Sequence, residues 1–196
     1  ENLEKESAVI EKLIKESKNG KIIKEGIKTV IIGKPNAGKS SLLNRLVGEE
    51  RAIVTEIAGT TGDTLEETIN LDGITLNIID TAGIRRTDDI IEKMGVRKAL
   101  EFVSDADLIL CVIDSSTELD ENDEEILQLI KEKKAIILLN KSDLESAVLQ
   151  EELESKANYP IIPFSAKQNT GMEELAKQVK DMFFQGKLSQ HEDIYI

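Results

Sequence analysis

The sequence predicts an α/β fold, a mostly parallel six-stranded sheet with helices on both faces. Two patterns carry that prediction. Strand-length apolar runs alternate with helix-length amphipathic stretches from Lys28 to Phe184, and near-continuous apolar strands belong to parallel sheets covered on both sides. A glycine-rich loop, "GKPNAGKS", also joins the first of these strands to the helix after it.

The elements follow in order. "ENLEKESAVIEKLIKESKNG" places Leu3, Ile10, Leu13, Ile14 and Ser17 on one helical face, with Gly20 as the expected stop. "KTVIIG" reads as a buried strand and "GKSSLLNRLVG" as a helix, followed by a polar loop through Asp63. "TLEETINLDGITLNIID" is a hairpin turning at Asp72-Gly73, a pair that tolerates the left-handed backbone of a tight turn. "MGVRKALEFVSDA" is a helix, "DLILCVID" a buried strand and "ENDEEILQLIKE" a helix. "KAIILLN" and "YPIIPFS" are strands, and "GMEELAKQVKDMFF" is the last helix.

The 196 residues are 40% apolar and 32% charged, which fits one globular domain with appended structure. The net charge of −13 disfavours a direct nucleic-acid surface, which would want a basic stripe. Cys111 is the only cysteine, so an intrachain disulfide is excluded; it reads as a small buried apolar residue. A reducing, cytoplasmic location fits. No apolar run is long enough to span a bilayer and no signal-peptide pattern opens the chain.

Four motifs carry chemistry. "GKPNAGKS", Gly33 to Ser40, matches the phosphate-loop pattern G-x-x-x-x-G-K-S/T between a strand and a helix. The stretch Asn36, Ala37, Gly38, Lys39, Ser40 and Ser41 would turn backbone amides and a helix N-terminus toward phosphates. Lys39 would reach the β- and γ-phosphates, and Ser40 would ligate Mg²⁺. "NKSD" brings Asn140, Lys141 and Asp143 to a strand end. The Asp143 carboxylate accepts from guanine's N1–H and exocyclic amine. Adenine would leave it unpaired, a mismatch that discriminates by roughly 10⁴–10⁵. "SAK", Ser165, Ala166 and Lys167, follows the next strand and can close over the base. "DTAG", Asp80, Thr81, Ala82 and Gly83, ends the hairpin; Asp80 can hold Mg²⁺ through water and the Gly83 amide can sense the γ-phosphate. "GTT", Gly59 to Thr61, offers a threonine to the Mg²⁺ shell. After "DTAG" comes Ile84, where many small GTPases have a glutamine that orients the attacking water.

These motifs, in this order, resemble the GTPases with a hydrophobic residue in place of the catalytic glutamine, and above all the MnmE (TrmE) family of bacterial tRNA-modification GTPases. "NGKIIKEGIKTVIIGKPNAGKSSLLNRLVGEERAIVTEIAGTT" and "DTAGIRRTDDIIEKMGVRKA" carry the resemblance, which covers nearly the whole chain. It implies a Ras-like P-loop GTPase domain at 26–186. Residues 1–25 would then be a stub of the helical domain into which the family's GTPase domain is inserted, and 187–196 a return segment. The family's folate-binding domain and its C-terminal cysteine motif have no counterpart here. One position departs from the pattern: the family's "GTTRD" is "GTTGD" here, with Gly62 for arginine.

The resemblance also assigns roles. Thr55, Glu56, Ile57, Ala58, Gly59, Thr60 and Thr61 would form a first switch against the nucleotide. A potassium ion would be held by Asn36, the carbonyls of Thr55 and Ile57, and Thr60, and magnesium by Ser40 and Thr61. Glu92 matches the catalytic glutamate that orients water. From the residues alone, the favoured reading of Asn36 is that it stabilises the loop turn, and Glu92 is one more acid beside Asp88 and Asp89 at a helix start. The implied substrate is GTP. Implied partners are a second copy met transiently across the switch face and, in the full-length protein, the flavoprotein MnmG (GidA) and tRNA modified at its wobble uridine. Two alternatives stand beside this reading: a ribosome-assembly GTPase of the Der/EngA type, and a GTP-sensing interaction module with negligible hydrolysis.

Overall fold

Six strands form one sheet in the order β2-β3-β1-β4-β5-β6 in a computed structural model that describes residues 20–22, 24–48, 67–79, 103–148 and 150–184. The strands are β1 (Ile27–Gly33), β2 (Glu67–Leu71), β3 (Ile74–Ile78), β4 (Leu108–Asp114), β5 (Ala135–Asn140) and β6 (Ile161–Pro163). The helices are α1 (Lys39–Gly48), α2 (Glu121–Leu129), α3 (Gln150–Lys156) and α4 (Met172–Phe184). β2 is antiparallel to β3, and every other pairing is parallel. The predicted sheet is therefore present.

β4 is buried along its whole length, and its alternate residues serve two cores. Leu108, Leu110 and Val112 pack with Leu42, Leu43 and Leu46 of α1 and Leu175 and Val179 of α4. Ile109, Cys111 and Ile113 pack with Ile126 and Leu127 of α2 and Leu153 of α3. Strand side chains alternate between faces, so this division puts one helix pair on each side of the sheet. Cys111 is fully buried, as its sequence neighbours suggested.

Three expectations are corrected. Gly20 does not end the helical backbone: residues 20–22 and 24–25 are helical, while the expected helix before Gly20 lies outside the described residues. Gly26 does, with φ 86° and its amide donating to the Ile22 carbonyl at 2.9 Å, the backbone of a left-handed helix cap. α2 ends at Leu129 rather than at Glu132. Glu132 has φ 67°, and the Tyr159 hydroxyl donates to the Ile130 carbonyl at 2.6 Å. The sequence predicts no helix at α3, because only Leu153 among its residues is buried and so it shows little apolar periodicity. The predicted helix from Met94 to Ala106 falls mostly outside the described residues, where 103–105 are helical.

Candidate nucleotide site

The C-terminal ends of β1 and β5, with the loop after β6, meet at one edge of the sheet. The phosphate loop leaves β1 at Gly33, where an added Cβ would collide with the Val112 carbonyl of the neighbouring strand. Asn36 has φ 62°, which asparagine tolerates better than most residues. Gly38 has φ 103° and leaves no room for a side chain against the Asn140 amide. Ala37 donates to the Lys34 carbonyl at 3.3 Å, closing the turn. α1 then starts at Lys39, with Ser40 and Ser41 in its first turn. Lys39 is 3% exposed, and its Nζ donates to the Lys34 carbonyl at 2.6 Å. The loop thus holds its lysine against its own backbone.

Asn140 ends β5 and is 3% exposed. Its Nδ2 donates to the Ala37 carbonyl at 2.8 Å, and its Oδ1 accepts from the Ala166 amide at 3.2 Å. One carboxamide therefore joins all three described motifs. Lys141 follows with φ 62° and pairs through Nζ with Asp114 Oδ2, at the end of β4. Burial on its own would raise the Asp114 carboxyl; hydrogen bonds from Lys141 and Ser116 outweigh it and hold the group below its usual value.

Asp143 accepts from the Ser165 hydroxyl at 2.6 Å. That bond, with Lys167 nearby, holds its carboxyl below the usual range against opposing desolvation. Ser165 Oγ also accepts from the Gln168 amide at 3.1 Å, and Ser165 pairs with Thr170 across the loop. The Ser142 amide donates to the Phe164 carbonyl at 3.0 Å. The Asp143 carboxylate is thus ionised and held by the Ser165 hydroxyl.

The structure brings together Asn36, Ala37, Gly38, Lys39, Ser40, Ser41, Asn140, Lys141, Asp143, Ser165, Ala166 and Lys167. Thr55, Glu56, Ile57, Ala58, Gly59, Thr60, Thr61, Asp80, Thr81, Ala82, Gly83, Ile84 and Glu92 lie outside the described residues. Sequence reasoning missed Asp114, although an acid closing the apolar run "LILCVID" was its signal. No described helix is long and apolar enough to cross a membrane.

A strand–loop–helix phosphate cradle facing a strand-end guanine motif defines a P-loop GTPase. A family model described as "50S ribosome-binding GTPase" matches residues 28–141, more than half of the chain. The chain belongs to this GTPase family and is a GTP-hydrolysing domain. Its Ras-like fold is shared with solved structures. The G domain of the T. maritima FeoB iron transporter is 28% identical, with TM-score 0.55, over 79% of this chain and 97% of that one. Aquifex aeolicus Era bound to GDP·AlF4⁻ is 31% identical, with TM-score 0.60, over 82% of this chain and 58% of that one.

Among curated proteins the chain is similar to tRNA modification GTPase MnmE. The protein of that name from Lachnoclostridium phytofermentans is 58% identical over 187 residues, which cover 95% of this chain and 41% of that protein. The one from Clostridioides difficile is 50% identical over 188 residues, with the same shares. The chain therefore spans about two-fifths of the length of these relatives.

Proposed function

We propose that this chain is the GTP-hydrolysing module of a tRNA-modification GTPase, switched on by potassium and by pairing of two such domains across their switch faces. The observation that carries the reading is the Asn140 carboxamide. It ties the phosphate loop to the guanine loop in a chain whose relatives at 58% and 50% identity are named for tRNA modification. In this reading residues 26–186 are the GTPase domain, 1–25 belong to a helical domain, and 187–196 lead back into it. The longer protein works in the cytoplasm with MnmG (GidA) and tRNA.

The chain's own groups divide the work. The loop amides and α1 N-terminus bind the phosphates, while Asp143 selects guanine. Lys39 exchanges the Lys34 carbonyl for the β- and γ-phosphates when nucleotide enters. Ser40 and Thr61 are suited to hold magnesium. Asn36 suits potassium: it is exposed at a left-handed turn, its side chain makes no hydrogen bond among the described residues, and its amide oxygen is a neutral donor of the kind that replaces water around K⁺. Thr55 and Ile57 carbonyls and Thr60 would complete that cage. When bound, the two cations supply positive charge to phosphate oxygens during transfer. Glu92 would orient the water that attacks the γ-phosphorus, taking the place of the glutamine that Ile84 replaces, to give GDP and phosphate.

Single-turnover GTP hydrolysis, measured against protein concentration in potassium and in sodium, tests the reading. The rate should be higher in potassium and rise with concentration. Asn36→Ala should erase the cation preference while GDP still binds. Glu92→Ala should lower the rate by on the order of 10²–10⁴ with GDP affinity kept. Equal rates in the two salts would remove the potassium reading, and a Glu92→Ala protein at the parent rate would remove the glutamate. A ribosomal role is the second reading, favoured by the description of the matching family model. Co-sedimentation of the GTP-bound chain with large ribosomal subunits would support it.

A further inference from the structure

Lys34 occupies a position that the phosphate-loop pattern leaves free, yet the structure commits both of its ends. Its Nζ meets Asp123 Oδ2 at 2.6 Å and Asp120 Oδ2 at 3.0 Å, at the start of α2. Asp123 is 3% exposed. The same two carboxylates cap that helix: Asp120 Oδ1 accepts from the Asn122 and Asp123 amides, and Asp123 Oδ2 accepts from the Asp120 amide at 3.1 Å. The other end of Lys34 is its carbonyl, which accepts from Ala37 and from Lys39 Nζ. One residue thus spans from the phosphate-binding lysine to a helix cap on the opposite side of the loop.

We propose that Lys34 is a positioning residue for phosphate binding. Its double ion pair to Asp120 and Asp123 anchors the main chain of the loop, so that the loop amides and Lys39 meet a di- or triphosphate already in place. Nucleotide affinity then depends on where the α2 cap stands. Against the burial that would lower it, hydrogen bonding to Asp123 and Asp120 raises the Lys34 ammonium above its usual value, and the bond from Lys34 lowers the Asp120 carboxyl. The proposal rests on the phosphate loop as a guanine-nucleotide site and is independent of potassium, domain pairing and Glu92.

An anchor and a phosphate ligand predict opposite results at Asp123. Were Lys34 itself a phosphate ligand, Asp123→Asn would release it toward the nucleotide and leave binding unchanged or tighter. As an anchor, Lys34 loses its hold in that variant and binding weakens. The experiment measures dissociation constants for GDP and for guanosine, which lacks phosphates, in sodium with magnesium, together with thermal midpoints. Lys34→Met and Asp123→Asn should each weaken GDP about tenfold or more, the scale of an indirectly displaced binding group. Guanosine affinity should stay at the parent value. The double variant should be no weaker than Lys34→Met alone, because the two substitutions remove one interaction. Lys34→Arg should restore GDP binding. Should Lys34→Met fail to fold, Asp120→Asn keeps the test, since that side chain is half exposed and carries one of the two pairs; it should weaken GDP by a smaller factor. Unchanged or tighter GDP binding in Asp123→Asn would overturn the anchor, as would equal weakening of GDP and guanosine. A parent protein that binds no GDP would instead refute the nucleotide site itself.

Discussion

Asn140→Ala removes the carboxamide that joins the phosphate loop to the loop after β6, and its cost can be worked from two hydrogen bonds. The first leaves the carbonyl of Ala37, a residue 1% exposed, without its donor at 2.8 Å. An unsatisfied buried acceptor costs about 1–3 kcal/mol. The second frees the Ala166 amide, whose residue is part-exposed and regains water, a loss of about 0.5–1.5 kcal/mol. Together they come to about 3 kcal/mol. In a domain of this size each kcal/mol moves the thermal midpoint by about 2–4 °C, so a fall of about 6–12 °C is expected. Urea unfolding followed by circular dichroism, without nucleotide, isolates the structural part. The midpoint should drop with an unchanged slope. GDP and guanosine should both bind more weakly, since the tie serves both motifs. A variant that unfolds at the parent's urea concentration would refute the reasoning, because neither bond would then contribute to the fold.

Three further outcomes follow from the same site and its core. Asp143→Asn replaces an acceptor with a donor, so GTP should lose affinity by about 10²-fold or more while xanthosine triphosphate gains, as read by competition binding. Asp114→Asn should lower stability at pH 7. Because the folded-state value of Asp114 lies below 3.8, its contribution is complete above that pH and is lost as pH falls through the lower folded value. The gap between parent and variant in urea titrations should therefore narrow below pH 3.8. Burial, with the Asp123 charge adding to it, pushes the Cys111 thiol up to about 12, so an aromatic disulfide reagent should react with it only at the rate of unfolding. Prompt labelling of the native protein would contradict the burial.

What the sequence disclosed well was set by strong local rules. β4 and β5 are apolar up to their last residues, Asp114 and Asn140, because both of their faces are covered. The hairpin turned where Asp72 and Gly73 take φ of 49° and 85°. The glycines of the phosphate loop sit where a Cβ would strike Val112 or Asn140. What stayed hidden depends on contacts between distant segments. Nothing near Lys34 in the chain announces Asp123, and nothing near Lys141 announces Asp114. Gly20 and Gly26 look alike as helix stops; only Asn77, whose Nδ2 donates to the Glu25 carbonyl at 2.6 Å, marks which one turns the chain into β1. α3 buries a single leucine, too little for periodicity to register.

The strand order has a consequence for how the domain comes into being. β1 carries the phosphate loop and is made early, but it lies inside the sheet, and its tie to Asn140 spans 103 positions of chain. Contacts this distant in sequence close late and slowly, since the intervening chain must first be ordered. A nascent chain that has emerged only as far as β4 has its phosphate loop without the amide that braces it. Binding competence therefore arrives with completion of the sheet. In refolding, the capture of GDP would lag behind the recovery of helical signal, which makes nucleotide binding a reporter of the last long-range contact rather than of the first compact state.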